Sequence, residues 1–330
     1  MKRPSLRRLA TEQSNSASTD LDHKTSLEIA RNINAEDAKV APAVKRALPQ
    51  IAQAIDLIAH ALSHGGRLVY VGTGTSGRIA ALDAAEIPPT FDVDPRRIQF
   101  IMAGGVNALA KATEASEDSR ELGRKEMARR KPGKSDVVVG IAASGRTPFT
   151  VAALQHARAR GAKTVAVTCN QNSALGKAAH IEIVAEVGPE VIAGSSRMKA
   201  GTAEKMILNM LSTGAMTRLG YVYGNLMVHL RLKNTKLRER GVSILSRAAG
   251  LNEKEARQLL GETHSVAAGL VMTKARVSRS SAEAALTNSA GNVRMAIDTL
   301  RGKHQDKGSG PAAHLRSQSM RKKRRLGMPD

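Results

Sequence analysis

Val44, Leu48, Ile51, Ile55, Ile58 and Leu62 recur at alternating steps of four and three, the spacing that lines apolar side chains along one face of an α-helix. Pro42 and Pro49 interrupt that stretch locally, and a shorter helix is predicted before it, over residues 25–34, after a polar leader. The pattern then changes. Runs rich in β-branched residues appear as RLVYV at 67–71, IQFIM at 98–102, DVVVGI at 136–141, TVAVT at 164–168 and HIEIVAEV at 180–187, with helical segments between them. Continuous apolar runs, rather than strict alternation, are expected of strands covered on both faces of a parallel sheet. Residues 40–232 therefore predict one doubly wound α/β domain with a mostly parallel sheet. Beyond about residue 237 the β pattern ends. Val242 and Leu245, Leu259 and Leu260, Val266 and Leu270, and Val293 and Ile297 predict short helices with turns at Gly250, Gly261 and Gly291, a small helical subdomain over residues 233–300. Residues 1–39 are expected to be a leader and helix, and residues 301–330 a basic, disordered tail.

Composition narrows the class. A chain of 330 residues can bury a substantial core without disulfides, and with no Trp, three Tyr and three Phe that core must be aliphatic. The single cysteine, Cys169, excludes an intrachain disulfide framework and fits a reducing, cytoplasmic setting. No apolar run approaches the roughly 18 residues that span a bilayer, and a signal-peptide core is lacking. Of the net charge of +22, the last thirty residues carry +7 and the first ten +4, which leaves +11 for the rest. With aromatic residues at only 2 %, stacking platforms for nucleic acid are scarce. A moderately basic body suits small anions, and no specific nucleic-acid partner or membrane is expected.

Candidate chemistry clusters after predicted strands. VGTGTSGR at 71–78 matches the dinucleotide fingerprint in the spacing of Gly72, Gly74 and Gly77. Its filling of Thr73, Thr75, Ser76 and Arg78 fits a phosphate at a helix N-terminus better than a pyrophosphate turn. IAASGRTP at 141–148 places Ser144, Arg146 and Thr147 at a second strand end, and GSSRMKAGTAEK at 194–205 brings Ser195, Ser196, Arg197 and Lys199 to a third helix start. Three such loops in one α/β domain point to convergence on one phosphorylated ligand at the carboxyl edge of the sheet. In the same segment Glu204 and Lys205 read as surface residues. Glu86 and Glu117 are acid-base candidates, with Glu114 and Asp118 equal neighbours by spacing alone. His60 and His64 lack a third ligand, so no metal site is expected, and Cys169 reads as a buried small hydrophobe.

The strings GTGTSGR, LDAAEIPPTF, EASEDS, GIAASGRTPF, AGSSRMKAGTAEKMILNMLSTG and GNLMV, in this order, closely resemble the N-acetylmuramic acid 6-phosphate etherase family, built on the sugar-isomerase (SIS) domain. The resemblance covers roughly residues 8 to 300. It implies a three-layer α/β/α fold, a homodimer, a cytoplasmic role in peptidoglycan recycling and no cofactor. The reaction it implies splits the D-lactyl ether of N-acetylmuramic acid 6-phosphate into N-acetylglucosamine 6-phosphate and D-lactate. It assigns Glu86 as the acid that assists lactate departure and Glu117 as the base at C2, and passes over Glu114. Ala85, Ser116 and His229 depart from the family's usual residues without removing a catalytic group.

Two carboxylates suit that chemistry. In the open-chain aldehyde the C2 proton is acidic and the lactyl oxygen on C3 is β to the carbonyl, so elimination can proceed with one group taking a proton and another giving one. An aldose-ketose phosphosugar isomerase needs only the base, and a non-catalytic phosphosugar-sensing regulator needs neither. Helix geometry adds an expectation. The helix starting near Ser76 should end at Pro88, which sets Glu86 about ten residues, or about 15 Å, from the phosphate loop. Either the chain folds back there, or Glu86 serves the other subunit's site.

Overall fold

The computed structural model describes residues 9–111 and 114–308, in two compact units that part between Leu219 and Gly220. The first begins with helix α1 (Ser26–Asp37), opened by a capping box in which Thr25 and Glu28 satisfy each other's backbone amides. The long apolar stripe divides at Ala47 into α2 (Val40–Arg46) and α3 (Leu48–Ser63). Pro49 falls in the first turn of α3, where its missing N–H would have had no helical partner.

Five parallel strands follow, each where an apolar run predicts it: β1 (Leu68–Gly72), β2 (Ile98–Met102), β3 (Val137–Ile141), β4 (Lys163–Thr168) and β5 (Ile181–Val184). The sheet order is β2-β1-β3-β4-β5. Every residue of β1 and β3 is buried, which is why these strands read as unbroken apolar runs. In chain order the first unit's remaining helices are α4 (Gly74–Phe91), α5 (Glu114–Glu117), α6 (Arg120–Arg129), α7 (Pro148–Ala159), α8 (Ala174–Ala178) and α9 (Lys199–Arg218). Val69, Val71, Val138 and Ala166 face Met127, Phe149, Leu154 and Leu175 of α6, α7 and α8. Tyr70 points the other way and reaches Asp83 of α4, so helices cover both faces.

The polar leader is part of this unit. Thr11 is buried, the Ala10 amide donates to Asn170 Oδ1 (3.0 Å), Asn15 Nδ2 donates to the Pro189 carbonyl (3.1 Å) and Ser18 Oγ to that of Val191 (2.7 Å).

The expected stop of α4 at Pro88 does not occur. The helix runs through Pro88 and Pro89 to Phe91 and ends at Asp92 in a left-handed conformation. Burial of Ile87, Pro88 and Phe91 holds the last turn helical against the lost amides, and Thr90 Oγ1 donates to the Glu86 carbonyl (2.7 Å).

The second unit opens with a hairpin that periodicity did not predict: β6 (Val222–Tyr223) against β7 (Leu226–Met227), antiparallel, turning at Gly224 and Asn225. Five helices follow, α10 (Thr235–Ala249), α11 (Glu253–Thr263), α12 (Val266–Ala275), α13 (Arg279–Asn288) and α14 (Val293–Gly308). Asn234, Asn252, Ser265 and Ser278 cap the first four of these through their side chains. Val228 and Leu230 share a core with Leu245, Leu260, Leu270 and Ile297, so residues 220–232 pack with these helices. Helix α14 extends eight residues into the tail expected from 301, and the remainder of that tail lies outside the described residues. Among the described residues no helix is long and apolar enough to cross a membrane.

Candidate active site

β1 and β3 are neighbours whose continuations run in opposite directions, β1 leading on to β2 and β3 to β4. In open α/β sheets ligands bind outside the carboxyl ends at such a reversal. Gly72 pairs with Ile141, so the loop after β1 and the loop after β3 leave the sheet side by side. The first carries Thr73, Thr75, Ser76 and Arg78, the second Ser144, Arg146 and Thr147.

Backbone geometry lets α4 start close against the strand end. Gly74 opens it at a φ of +50°, and a Cβ on Gly77 would stand 2.8 Å from Met102 Cγ and 3.0 Å from the Gly72 carbonyl oxygen. Neither Thr73 before α4 nor Thr147 before α7 caps its helix with its side chain, so the first amides of both helices are open to an anion.

The buried Thr73 instead donates its hydroxyl proton to Glu117 Oε2 at 3.0 Å. The other carboxylate oxygen lies over Gly74, where a Cβ would come within 3.2 Å of it. The half-buried Glu117 is thereby brought to the mouth of the first loop. The third segment is brought near too: a Cβ on Gly201 would sit 3.3 Å from Thr75 Cγ2 and 3.7 Å from the Ser196 carbonyl oxygen. Ser195 and Ser196 are half-buried there. Ser144 Oγ accepts from the Arg146 amide (3.3 Å), and Arg78 Nε donates to the Leu109 carbonyl (3.0 Å).

Two expectations fail at α9. Lys199 is 1 % exposed, and its ammonium is 2.6 Å from Glu36 Oε2; it is committed to that ion pair and is withdrawn from the phosphate set. The first amides of α9, those of Lys199 and Ala200, donate to the buried Glu190 carboxylate at 3.0 and 2.9 Å, so this helix start is filled from within the chain. Glu204, expected at the surface, is 1 % exposed, with its Oε1 hydrogen-bonded to Ser76 Oγ at 2.9 Å. It falls in the buried stripe Ala200, Ala203, Ile207, Leu208 and Leu211, whose spacing of three and four was the available signal. Burial with only Ser76 to offset it lifts the Glu204 carboxyl to about 8. Lys205 is exposed, as expected.

Glu86 lies elsewhere. It is exposed in the last third of α4, in a shallow pocket with Leu82, Asp83, Lys205, Leu208 and Asn209. Since α4 is continuous through it, one chain does not bring Glu86 to Glu117. Beneath it, Asp83 accepts from Tyr70 Oη (2.7 Å) and Ser212 Oγ (3.0 Å). Burial outweighs both bonds and raises its carboxyl to about 6. Cys169 is buried, and desolvation together with Glu204 and Glu190 holds its thiol well above the ordinary value, against any role as a nucleophile.

Residues 50–158 match the family described as the glucokinase regulatory protein N-terminal SIS domain, and residues 126–213 match the SIS domain. The chain is 56 % identical over 258 residues to the N-acetylmuramic acid 6-phosphate etherase of Symbiobacterium thermophilum, covering 78 % of this chain and 85 % of that one. It is 45 % identical over 296 residues to the etherase of Clostridium beijerinckii, covering 89 % and 97 %. With that of Clostridium botulinum strain Langeland the identity is 46 % over 297 residues, covering 90 % and 98 %. With sheet, loops and near full-length similarity in agreement, the chain belongs to the N-acetylmuramic acid 6-phosphate etherase family.

Proposed function

We propose that this chain cleaves the D-lactyl ether of N-acetylmuramic acid 6-phosphate, yielding N-acetylglucosamine 6-phosphate and D-lactate, as a cytoplasmic homodimer in peptidoglycan recycling. The 6-phosphate is held by hydroxyls of Thr75, Ser76, Ser144, Thr147, Ser195 and Ser196 and by the open amides of α4 and α7, with Arg78 and Arg146 supplying positive charge, while Thr73 gives its proton to Glu117. In the open-chain aldehyde Glu117 takes the C2 proton, the C2–H electrons form the C2–C3 double bond, and the C3–O bond breaks. Glu86 gives a proton to the departing lactate oxygen. Water then adds to the unsaturated aldehyde, its hydroxyl to C3 and a proton to C2, and the charge states of both glutamates are restored.

The observation that carries this reading is the Thr73–Glu117 hydrogen bond of 3.0 Å, which ties a carboxylate to the phosphate loop itself. A single chain leaves Glu86 about 15 Å from Ser76 along α4, so the acid is supplied by the second subunit. An apolar groove of about 820 Å³ beside it, lined by Leu48, Ile51, Ile55, Met206 and Met210 and sharing Asn209 with the Glu86 pocket, supports a second copy on this face.

Incubation with N-acetylmuramic acid 6-phosphate should release D-lactate, and Glu86→Gln or Glu117→Gln should each lower kcat by about 10² to 10⁴ in a folded protein. Purified heterodimers of the two variants contain one intact pair if the site is shared, and should recover up to half the wild-type rate. No lactate from the wild type rules out the etherase, and no recovery in heterodimers returns both glutamates to one subunit.

A further inference from the structure

Glu204 has no task in the elimination, yet it touches the phosphate loop. Its carboxyl is buried, and its single hydrogen bond among the described residues is with Ser76, at 2.9 Å. Among the described residues no cation compensates it: Lys199 is committed to Glu36, and Lys205 is exposed. Titratable and charged groups surround it from each element that packs on α9. On α4 they are Ser76 and, two turns on, Asp83 with Tyr70; at the end of β4, the buried thiol of Cys169; before α9, Glu190 on the helix amides. Lys45 and Arg46 of α2 and Asp56 and His60 of α3 are exposed.

A serine hydroxyl has one proton to give. Were Glu204 ionised, it would act only as an acceptor and take that proton, and Ser76 would turn lone pairs toward a phosphate dianion. We propose that Glu204 is a positioning residue that works as a neutral acid: its O–H donates to Ser76 Oγ, which leaves the Ser76 proton for the substrate phosphate. This rests on the reading of Ser76 as a phosphate ligand. Desolvation keeps the acid protonated up to about pH 8, and above that the phosphate loop should turn itself off. The prediction is therefore a loss of affinity on the alkaline side, with kcat unaffected.

The test is KM for N-acetylmuramic acid 6-phosphate between pH 7 and 9.5, a range in which the phosphate, with its second pKa near 6, is already a dianion. Wild-type KM should be flat to about pH 7.5 and then rise toward tenfold per pH unit. In Glu204→Gln the carboxamide N–H₂ replaces the acid proton, so KM should stay within about twofold across the range. Ser76→Ala should raise KM roughly tenfold or more at pH 7, the loss of one hydrogen bond to a charged group, with no further rise above pH 8. A flat wild-type profile, which needs no variant, overturns the proposal. So does a Glu204→Gln profile that climbs in parallel with wild type while Ser76→Ala still weakens binding. A wild-type KM in Ser76→Ala at pH 7 instead sinks the phosphate-loop reading on which the proposal stands.

Discussion

Glu36 and Glu204 are equally hidden, at 2 % and 1 % exposure, and both meet side chains at the start of α9 or of the helix beside it. Glu36 has the Lys199 ammonium at 2.6 Å and that of Lys39 at 2.5 Å. Burial would raise its carboxyl, but hydrogen bonds from Lys199, Lys39 and Asn15 outweigh it and bring the value to about 2. Glu204 has one hydroxyl, and burial takes it to about 8. Depth therefore does not decide the charge of a buried carboxyl; the partner does. The ion pair fastens α1 to α9, whereas the neutral acid is coupled to the site.

The signs of the two linkages are opposite. Glu36, depressed in the folded state, contributes stability that is present above pH 4.5 and lost as pH falls toward 2. Glu204, raised in the folded state, contributes stability that is present below pH 4.5 and lost as pH rises through 8.

The sharpest way to break the comparison is Lys199→Ala, which removes the buried ammonium and leaves Glu36 only the exposed Lys39 and Asn15. Urea unfolding at pH 7 should show a loss of about 3 to 5 kcal/mol, the cost of stranding one member of a buried pair, while Lys199→Met combined with Glu36→Gln should recover most of it. An effect below 1 kcal/mol in the single variant would mean that the Glu36 charge does not depend on Lys199. Next in size is Glu204→Gln, which removes the titration and keeps the shape. Its unfolding free energy should gain on wild type by about 2 to 3 kcal/mol between pH 6 and pH 8, at roughly 1.4 kcal/mol per unit; parallel curves would show that Glu204 is already ionised in the folded protein. The smallest effect belongs to Asp83, intermediate between the two, with neutral hydroxyl partners and a carboxyl raised to about 6. Asp83→Asn should cost about 1 to 2 kcal/mol at pH 7 through the altered bonds to Tyr70 and Ser212. Its pH dependence relative to wild type should be confined to the interval between about 4 and 6 and should vanish above it.

Much of the first unit was written in local pattern. The runs RLVYV and DVVVGI are apolar without alternation because β1 and β3 are covered on both faces, and their positions alone put the hydroxyl loops at strand ends. Glycines at 72, 74 and 77 required a tight strand-to-helix turn, and the structure has one. The strings around Glu86 and Glu117 were specific enough to indicate the family. These features depend on near neighbours in the chain, on hydrophobic period, turn chemistry and motif, so one dimension suffices to read them.

What tertiary structure decided has the opposite character. Lys199 looked like a phosphate ligand and became half of an ion pair because Glu36, 163 positions away, is packed against it. Glu204 looked like a surface acid because its charge outweighed the apolar stripe it belongs to, and its partner is 128 positions away. Pro88 and Pro89 should have ended α4 on local grounds, yet burial of the flanking side chains kept the turn and with it the distance between Glu86 and Ser76. In each case the local preference is worth a few kcal/mol at most, and desolvation or packing against residues remote in sequence is worth as much or more. A residue's type and spacing set what chemistry it can do. Which partner it meets, and so whether it is charged, buried or free to act, is settled only when the sheet and α9 bring distant segments together.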